Sequence, residues 1–295
     1  MQINREWTDY TVIATGDGMK LERWGKYVLL RPDPQIIWPS AFDLRAYKGL
    51  SAIYERSETG GGRWDYIRDI PENFTVGWRD FKFKLKLMGF KHTGLFPEQA
   101  VNWARMIDKI KGANRPINVL NLFAYTGGAT VACLSAGASV CHVDSAKAMV
   151  ERAGENIALS GLSGASVRYI IDDCFKFVRR EIKRGKKYDA VIMDPPSFGR
   201  GANGEVWKIE DSLFGLVSET AGLLSNDPSF LSYQQLYDGF TTRCYAKRIA
   251  VGFKSSRRNY SRRNRLADAG GWYSFARWRE CIRRVLGVLW KKPQS

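Results

Sequence analysis

Four short apolar runs between residues 117 and 198 each end in residues able to bind or react. Ile117 to Phe123 runs into Ala124-Tyr125-Thr126-Gly127-Gly128, and Val140 to Val143 ends in Asp144. Val167 to Ile171 ends in Asp172-Asp173, and Tyr188 to Met193 ends in Asp194-Pro195-Pro196-Ser197-Phe198. The first turn holds only Gly127 and Gly128, short of the glycine-rich loop that a dinucleotide pyrophosphate needs for close backbone approach. A phosphate-free cofactor needs no more than such a bend of small residues. A carboxylate at Asp144 can accept both hydroxyls of a ribose. Asp172 or Asp173 can accept from an exocyclic amine, or can cap the helix beginning at Cys174 or Phe175; one can cap while the other binds. Two prolines after a buried strand fix φ near −65° and lack N–H donors, which makes a rigid wall beside Asp194.

These features need a scaffold that brings strand ends together. From Pro116 on, strand-like runs alternate with amphipathic helical patterns: small residues up to Gly137, Ala146 to Leu159, and Phe175 to Lys183. Repeated βα units predict a parallel sheet with helices on both faces and ligands at the carboxyl ends of its strands. Before it, Thr11 to Ala14, Tyr27 to Leu30, Ser51 to Tyr54 and the alternating run Phe81 to Leu87 predict a small antiparallel unit, with turns at Gly16-Asp17-Gly18 and Gly60-Gly61-Gly62. Pro97-Glu98-Gln99 opens a helix that closes at Gly112. The fold class is therefore α/β, a Rossmann-like sheet preceded by a small β-rich domain. The expected divisions are 1–91 for the β-rich domain, 92–228 for the cofactor-binding domain and 229–295 for an atypical tail.

The chain of 295 residues is 44% hydrophobic and can bury a sizeable core. No stretch approaches the roughly 18 apolar residues of a membrane span, and Met1 to Ala14 has no apolar signal segment, so a soluble cytoplasmic protein without membrane partners is expected. Five cysteines without a CxxC pair and only two histidines, His92 and His142, suggest neither a disulfide frame nor a metal site. The net charge of +16 is concentrated in residues 231–295, which hold 15 Lys/Arg against Asp238, Asp268 and Glu280, so it is weak evidence for a nucleic-acid partner of the body.

Asn118 to Gly128, Val143-Asp144-Ser145, Asp172 to Phe175 and Asp194 to Phe198 together resemble the successive motifs of class I S-adenosylmethionine-dependent methyltransferases. The nearest group is that of the bacterial large-subunit ribosomal RNA methyltransferases that make 5-methylcytosine or 7-methylguanine. His92 to Ala100 is similar to the segment preceding the sheet in the same group. The resemblance implies S-adenosylmethionine as cofactor. It implies Gln99 and the turn Phe123, Tyr125, Thr126 and Gly127 around the methionine part, Asp144 on the ribose, Asp173 (with Asp172 beside it) on the adenine, and Asp194, Pro195, Pro196 and Phe198 at the reacting centre. It also implies RNA, ribosomal RNA above all, as partner.

Cytosine-C5 methylation needs a cysteine nucleophile, and none stands at Asp194 to Phe198. In-line transfer to a positioned amine or ring nitrogen is what remains. Methylation of a protein or small molecule, and RNA binding without catalysis, are the competing readings. Beyond Asn226-Asp227-Pro228 the βα rhythm stops and the chain becomes arginine-rich with scattered aromatics. Relatives of this form continue with Phe-Leu-Ile-Asn-Ser-Tyr-Thr-Thr-Gly and later Ala-Asp-Glu-Ile-Gly-Leu-Pro. Back-translating Leu231 to Gly239, and Tyr260 to Ala267, and reading from the second base of each codon permits both segments. A frameshift near residues 228–230 is therefore expected, which would leave the strand after Asp194 and the closing antiparallel pair missing or replaced.

Overall fold

The computed structural model describes residues 6–57, 61–89, 91–200 and 206–233. Its centre is a parallel five-stranded sheet, β8 (Asn118–Leu122), β9 (Ser139–Asp144), β10 (Val167–Ile171), β11 (Ala190–Met193) and β14 (Phe230–Tyr233), in the order β10-β9-β8-β11-β14. Strand order reverses between β8 and its neighbours β9 and β11, which opens a crevice above the carboxyl end of β8.

Alternating residues along the strands feed two cores. Val119, Val140, Ala190, Ile192 and Phe230 face one layer, packed by α1 (Ala100–Lys111), α2 (Gly128–Ser135) and α3 (Lys147–Leu159). Leu120, Leu122, Val143, Val191, Met193 and Leu231 face the other, packed by α4 (Cys174–Lys183) and α5 (Ile209–Ala221). A central strand covered on both faces reads as a continuous apolar run, which is why β8 and β11 are conspicuous in the sequence. The helix boundaries match the expected ones to within about two residues, the ordinary uncertainty of helix ends.

The N-terminal part is β-rich, as expected, with more strands than the sequence pattern gives. β1 (Tyr10–Gly16), β2 (Met19–Trp24), β3 (Tyr27–Pro32), β4 (Ala52–Arg56) and β5 (Gly62–Tyr66) form one sheet in that order. All its pairs are antiparallel except β3 with β4, and β6 (Phe74–Trp78) pairs with β7 (Phe81–Leu85) as a separate hairpin. β2 buries Glu22 completely, held by Arg31 at 2.7 Å, the Tyr10 hydroxyl at 2.6 Å and Lys20 at 3.2 Å. The first core is continuous from this region into the parallel sheet: Trp24, Trp78 and Phe83 share it with Trp103 and Met106 of α1. α1 and α2 meet closely because Gly128 has no side chain; a Cβ there would lie 2.4 Å from Trp103 Cζ2.

Of the two outcomes expected for the strand after Asp194, missing or replaced, the structure excludes the first. Phe230–Tyr233, the opening of the atypical tail, pairs in parallel with β11, and Phe230 and Leu231 bury one side chain in each core. A short apolar segment at the right distance from β11 supplies such a strand whatever follows it. The remainder of the tail, and with it the frameshift, lies outside the described residues.

Candidate active site at the strand ends

The turn after β8 carries backbone strain where a ligand would be gripped. Phe123 (φ 53°) and Tyr125 (φ 50°) are both left-handed without being glycine, and Gly127 (φ 84°) follows as the N-cap of α2. Each non-glycine residue held this way costs of the order of 1–2 kcal/mol, so the surroundings must impose the conformation. They do so with backbone bonds. Phe123 N donates to Cys174 Sγ at 3.3 Å, Ala124 N to Val143 O at 3.1 Å, and Tyr125 N to Asp144 Oδ2 at 2.8 Å. Thr126 is locked from both sides: its hydroxyl donates to Gly94 O at 2.6 Å and its carbonyl accepts from Asn156 Nδ2 at 2.8 Å. Gly127 must be glycine for conformation and for space, since a Cβ there would stand 2.9 Å from the Ala153 Cβ.

Asp144 ends β9 beside this turn. Its second oxygen accepts from Ala146 N at 2.9 Å, and burial pushes its pKa up against the pull of these backbone donors. Each carboxylate oxygen keeps a lone pair for a further donor, as two vicinal hydroxyls would require. The N-terminus of α2 has no side-chain cap, so its first N–H groups stay open to a carboxylate. A half-buried carboxylate and a helix end with no phosphate-sized glycine loop together suit a nucleoside bearing an amino acid. The Tyr125 hydroxyl and Arg152 Nη1 are buried without a hydrogen-bond partner, and burial holds the tyrosine up at about 12.

The two acids after β10 divide their work. Asp173 is the N-cap of α4, its side chain accepting from Lys176 N at 2.8 Å. Asp172 accepts from Asp173 N at 2.9 Å and pairs with Arg180. Both lie at the end of the strand next to Asp144, as expected, and both have an oxygen engaged by the helix they precede.

Asp194 follows β11 and stands across the crevice. It is half-buried, and burial, reinforced by the neighbouring Glu98 carboxylate, pushes its pKa up to about 7. Gln99, itself buried, reaches it from the 3-10 turn Pro97–Gln99: its amide donates to Asp194 Oδ2 at 3.5 Å, the limit of a hydrogen bond, while its carbonyl oxygen accepts from Asn102 at 2.9 Å. Pro195 is buried and Pro196 exposed, and Phe198, 53% exposed, opens a hairpin of β12 (Phe198–Arg200) and β13 (Val206–Lys208). The structure thus brings the β8 turn together with Asp144, and Gln99 together with Asp194, at the carboxyl ends of the strands on either side of β8.

Two residues of this crevice carry no expectation from sequence. Glu98 shapes the charge at Asp194 from a single-turn helix too short to show periodicity. Trp207, on a three-residue strand, donates from its indole to Pro196 O at 2.6 Å, and its ring lies tilted against that of Phe123 with centroids 5.1 Å apart. Among the described residues no group of three or more His, Cys, Asp or Glu is placed to hold a metal, and no helix is long and apolar enough to cross a membrane.

The family model for S-adenosylmethionine-dependent methyltransferases matches residues 62–219. The Shewanella frigidimarina protein named ribosomal RNA large subunit methyltransferase K/L is 40% identical over 142 residues, 46% of this chain and only 19% of that relative's length. Among solved structures, a SAM-dependent methyltransferase from Agrobacterium tumefaciens has a TM-score of 0.74 and 36% identity over 80% of this chain and 76% of its own. SMU.776, solved in complex with SAH, shares the fold with a TM-score of 0.69 at 22% identity, over 89% of this chain and 70% of its own.

Proposed function

The chain belongs to the S-adenosylmethionine-dependent methyltransferase family, and from that premise we propose that it methylates a nitrogen of a large-subunit ribosomal RNA base. The cofactor supplies an electrophilic methyl group on a sulfonium whose departing sulfur takes the bonding electrons. The chain's part is to hold the two partners in line and to remove a proton.

On this reading Gln99 and the turn Phe123, Tyr125, Thr126 and Gly127 hold the methionine part, Asp144 binds the ribose hydroxyls, and Asp172 and Asp173 bound the adenine end. Pro195, Pro196 and Phe198 present a rigid wall on which an acceptor base can lie. Asp194 accepts the proton that leaves the acceptor nitrogen as its lone pair forms the new N–C bond. The observation that carries this assignment is the half-buried Asp194 with a pKa near 7, next to Gln99: a carboxylate that takes a proton at neutral pH. Among the described residues, no cysteine is placed for a C5 transfer that needs a thiolate nucleophile. Cys133, Cys141 and Cys174 are buried, and their thiols are pushed up, Cys141 to about 11.

The names of the curated relatives support ribosomal RNA as substrate class, and we place the reaction in the cytoplasm, where that RNA is found. We likewise propose the division 1–91, 92–228 and 229–295, with the tail, whose first residues Phe230–Tyr233 join the sheet, a shifted reading frame. The test is transfer of labelled methyl from S-adenosylmethionine to large-subunit ribosomal RNA transcripts, followed by nucleoside analysis. Label on a base nitrogen supports the proposal. Label on C5 of cytosine, or on ribosomal protein after nuclease digestion, overturns it.

A further inference from the structure

The two prolines of the wall create a mechanical problem that the fold has to solve. Pro195 and Pro196 have no N–H, so this stretch cannot be fixed through its own donors and must be held through its carbonyls. The Pro196 carbonyl accepts from Trp207 Nε1 at 2.6 Å, and the next carbonyl, that of Ser197, accepts from Ile209 N at 2.9 Å. The neighbours of Trp207 on β13 point outward, Val206 being 55% exposed and Lys208 exposed as well. Trp207 turns inward and packs on the second core, its ring centroid 5.1 Å from Phe123 and 6.2 Å from Phe175. Phe123 is the strained first residue of the cofactor turn, and Tyr125 two positions on is bonded to Asp144. An unbroken series of contacts therefore runs from Asp144 through Tyr125, Phe123 and Trp207 to Pro196.

We propose that Trp207 is a positioning residue that couples the cofactor turn to the acceptor wall. Its ring senses the turn through Phe123, and its indole N–H holds the wall through Pro196. Filling of the cofactor site then orders the surface on which the acceptor lies. The inference rests on cofactor binding and is independent of what the acceptor is.

Spatial continuity alone does not establish coupling, so the test measures it directly. Hydrogen–deuterium exchange of the Ser197, Phe198 and Gly199 amides is followed with and without saturating S-adenosylhomocysteine in the unmodified chain, Trp207→Phe and Trp207→Leu. Binding of the same ligand is measured calorimetrically. The unmodified chain should bind, and its amides should slow by about five- to tenfold on binding, the effect of one well-formed hydrogen bond. Trp207→Phe keeps the ring and loses the N–H: its affinity should stay within about twofold while the ligand-dependent slowing disappears. Trp207→Leu should lose both the slowing and several-fold in affinity. Full ligand-dependent slowing in Trp207→Phe overturns the proposal, as does faster exchange of equal size with and without ligand, which is what a purely structural role gives. Absence of any heat of binding in the unmodified chain removes the cofactor site itself, and the coupling with it.

Discussion

Replacing Asp194 by Asn should make the protein more stable and less active, and the gain in stability should depend on pH in a defined way. Burial and the Glu98 carboxylate raise the Asp194 pKa from its ordinary 3.8 to about 7. The folded chain therefore holds this proton more tightly than the unfolded chain does. The favourable contribution of the protonated acid is complete below about pH 4 and is lost as pH rises through about 7. A shift of that size corresponds to about 4 kcal/mol at 1.36 kcal/mol per unit, and the residual solvent access of the side chain reduces it to about 2–4 kcal/mol. Asn is isosteric and neutral at every pH, so it avoids the cost. Denaturant unfolding at pH 8.5 should show Asp194→Asn more stable by about 2–4 kcal/mol, with the gap shrinking to about 1 kcal/mol or less at pH 4.5. Methyl transfer should fall by about 10²- to 10⁴-fold, and the rise of kcat/KM through about pH 7 should vanish. A stability gap that is independent of pH, or of the opposite sign, would mean that Asp194 does not bind its proton more tightly in the folded chain.

Three further substitutions probe the scaffold. Gly128→Ala puts a methyl 2.4 Å from the buried Trp103 ring and should cost about 1–3 kcal/mol or more of unfolding free energy, measured by denaturant titration. Arg31→Met leaves the fully buried Glu22 without its closest cation and should cost about 3–5 kcal/mol at neutral pH by the same measurement. Asp173→Ala removes a helix cap and should cost about 1 kcal/mol. If S-adenosylhomocysteine affinity is unchanged in Asp173→Ala, the residue caps without binding; a loss beyond about tenfold gives it the adenine role as well.

The parallel sheet was legible because of where its strands lie. β8 and β11 are covered on both faces and read as largely apolar runs, broken in β8 only by Asn118 and Asn121, and polar residues gather where each run ends. The N-terminal sheet was harder to read. β2 hides a charge: Glu22 points inward, which reverses the alternation that marks a half-buried strand, and its partners Arg31, Tyr10 and Lys20 explain it. β5 begins at Gly62, within a glycine run that reads as a turn. β3 and β4 pair in parallel although the local pattern suggests hairpins, because the connection between them is long enough to cross over. At the site, residue type alone leaves open whether Asp173 caps or binds, and the bond from Lys176 N shows one oxygen engaged in capping. Trp207 and Glu98 act through contacts distant in sequence, with Pro196 and Asp194, and neither sits in a period that sequence reading can detect.

Isothermal titration of S-adenosylhomocysteine into the intact chain, with Asp144→Ala as the comparison, tests most directly the proposal that the β8 turn and Asp144 form the cofactor site. One saturable site in the unmodified chain, weakened by about 100-fold or more in Asp144→Ala through the loss of two charge-assisted hydrogen bonds, is the predicted result. Equal affinity in the two proteins, or no binding to the unmodified chain, would contradict it.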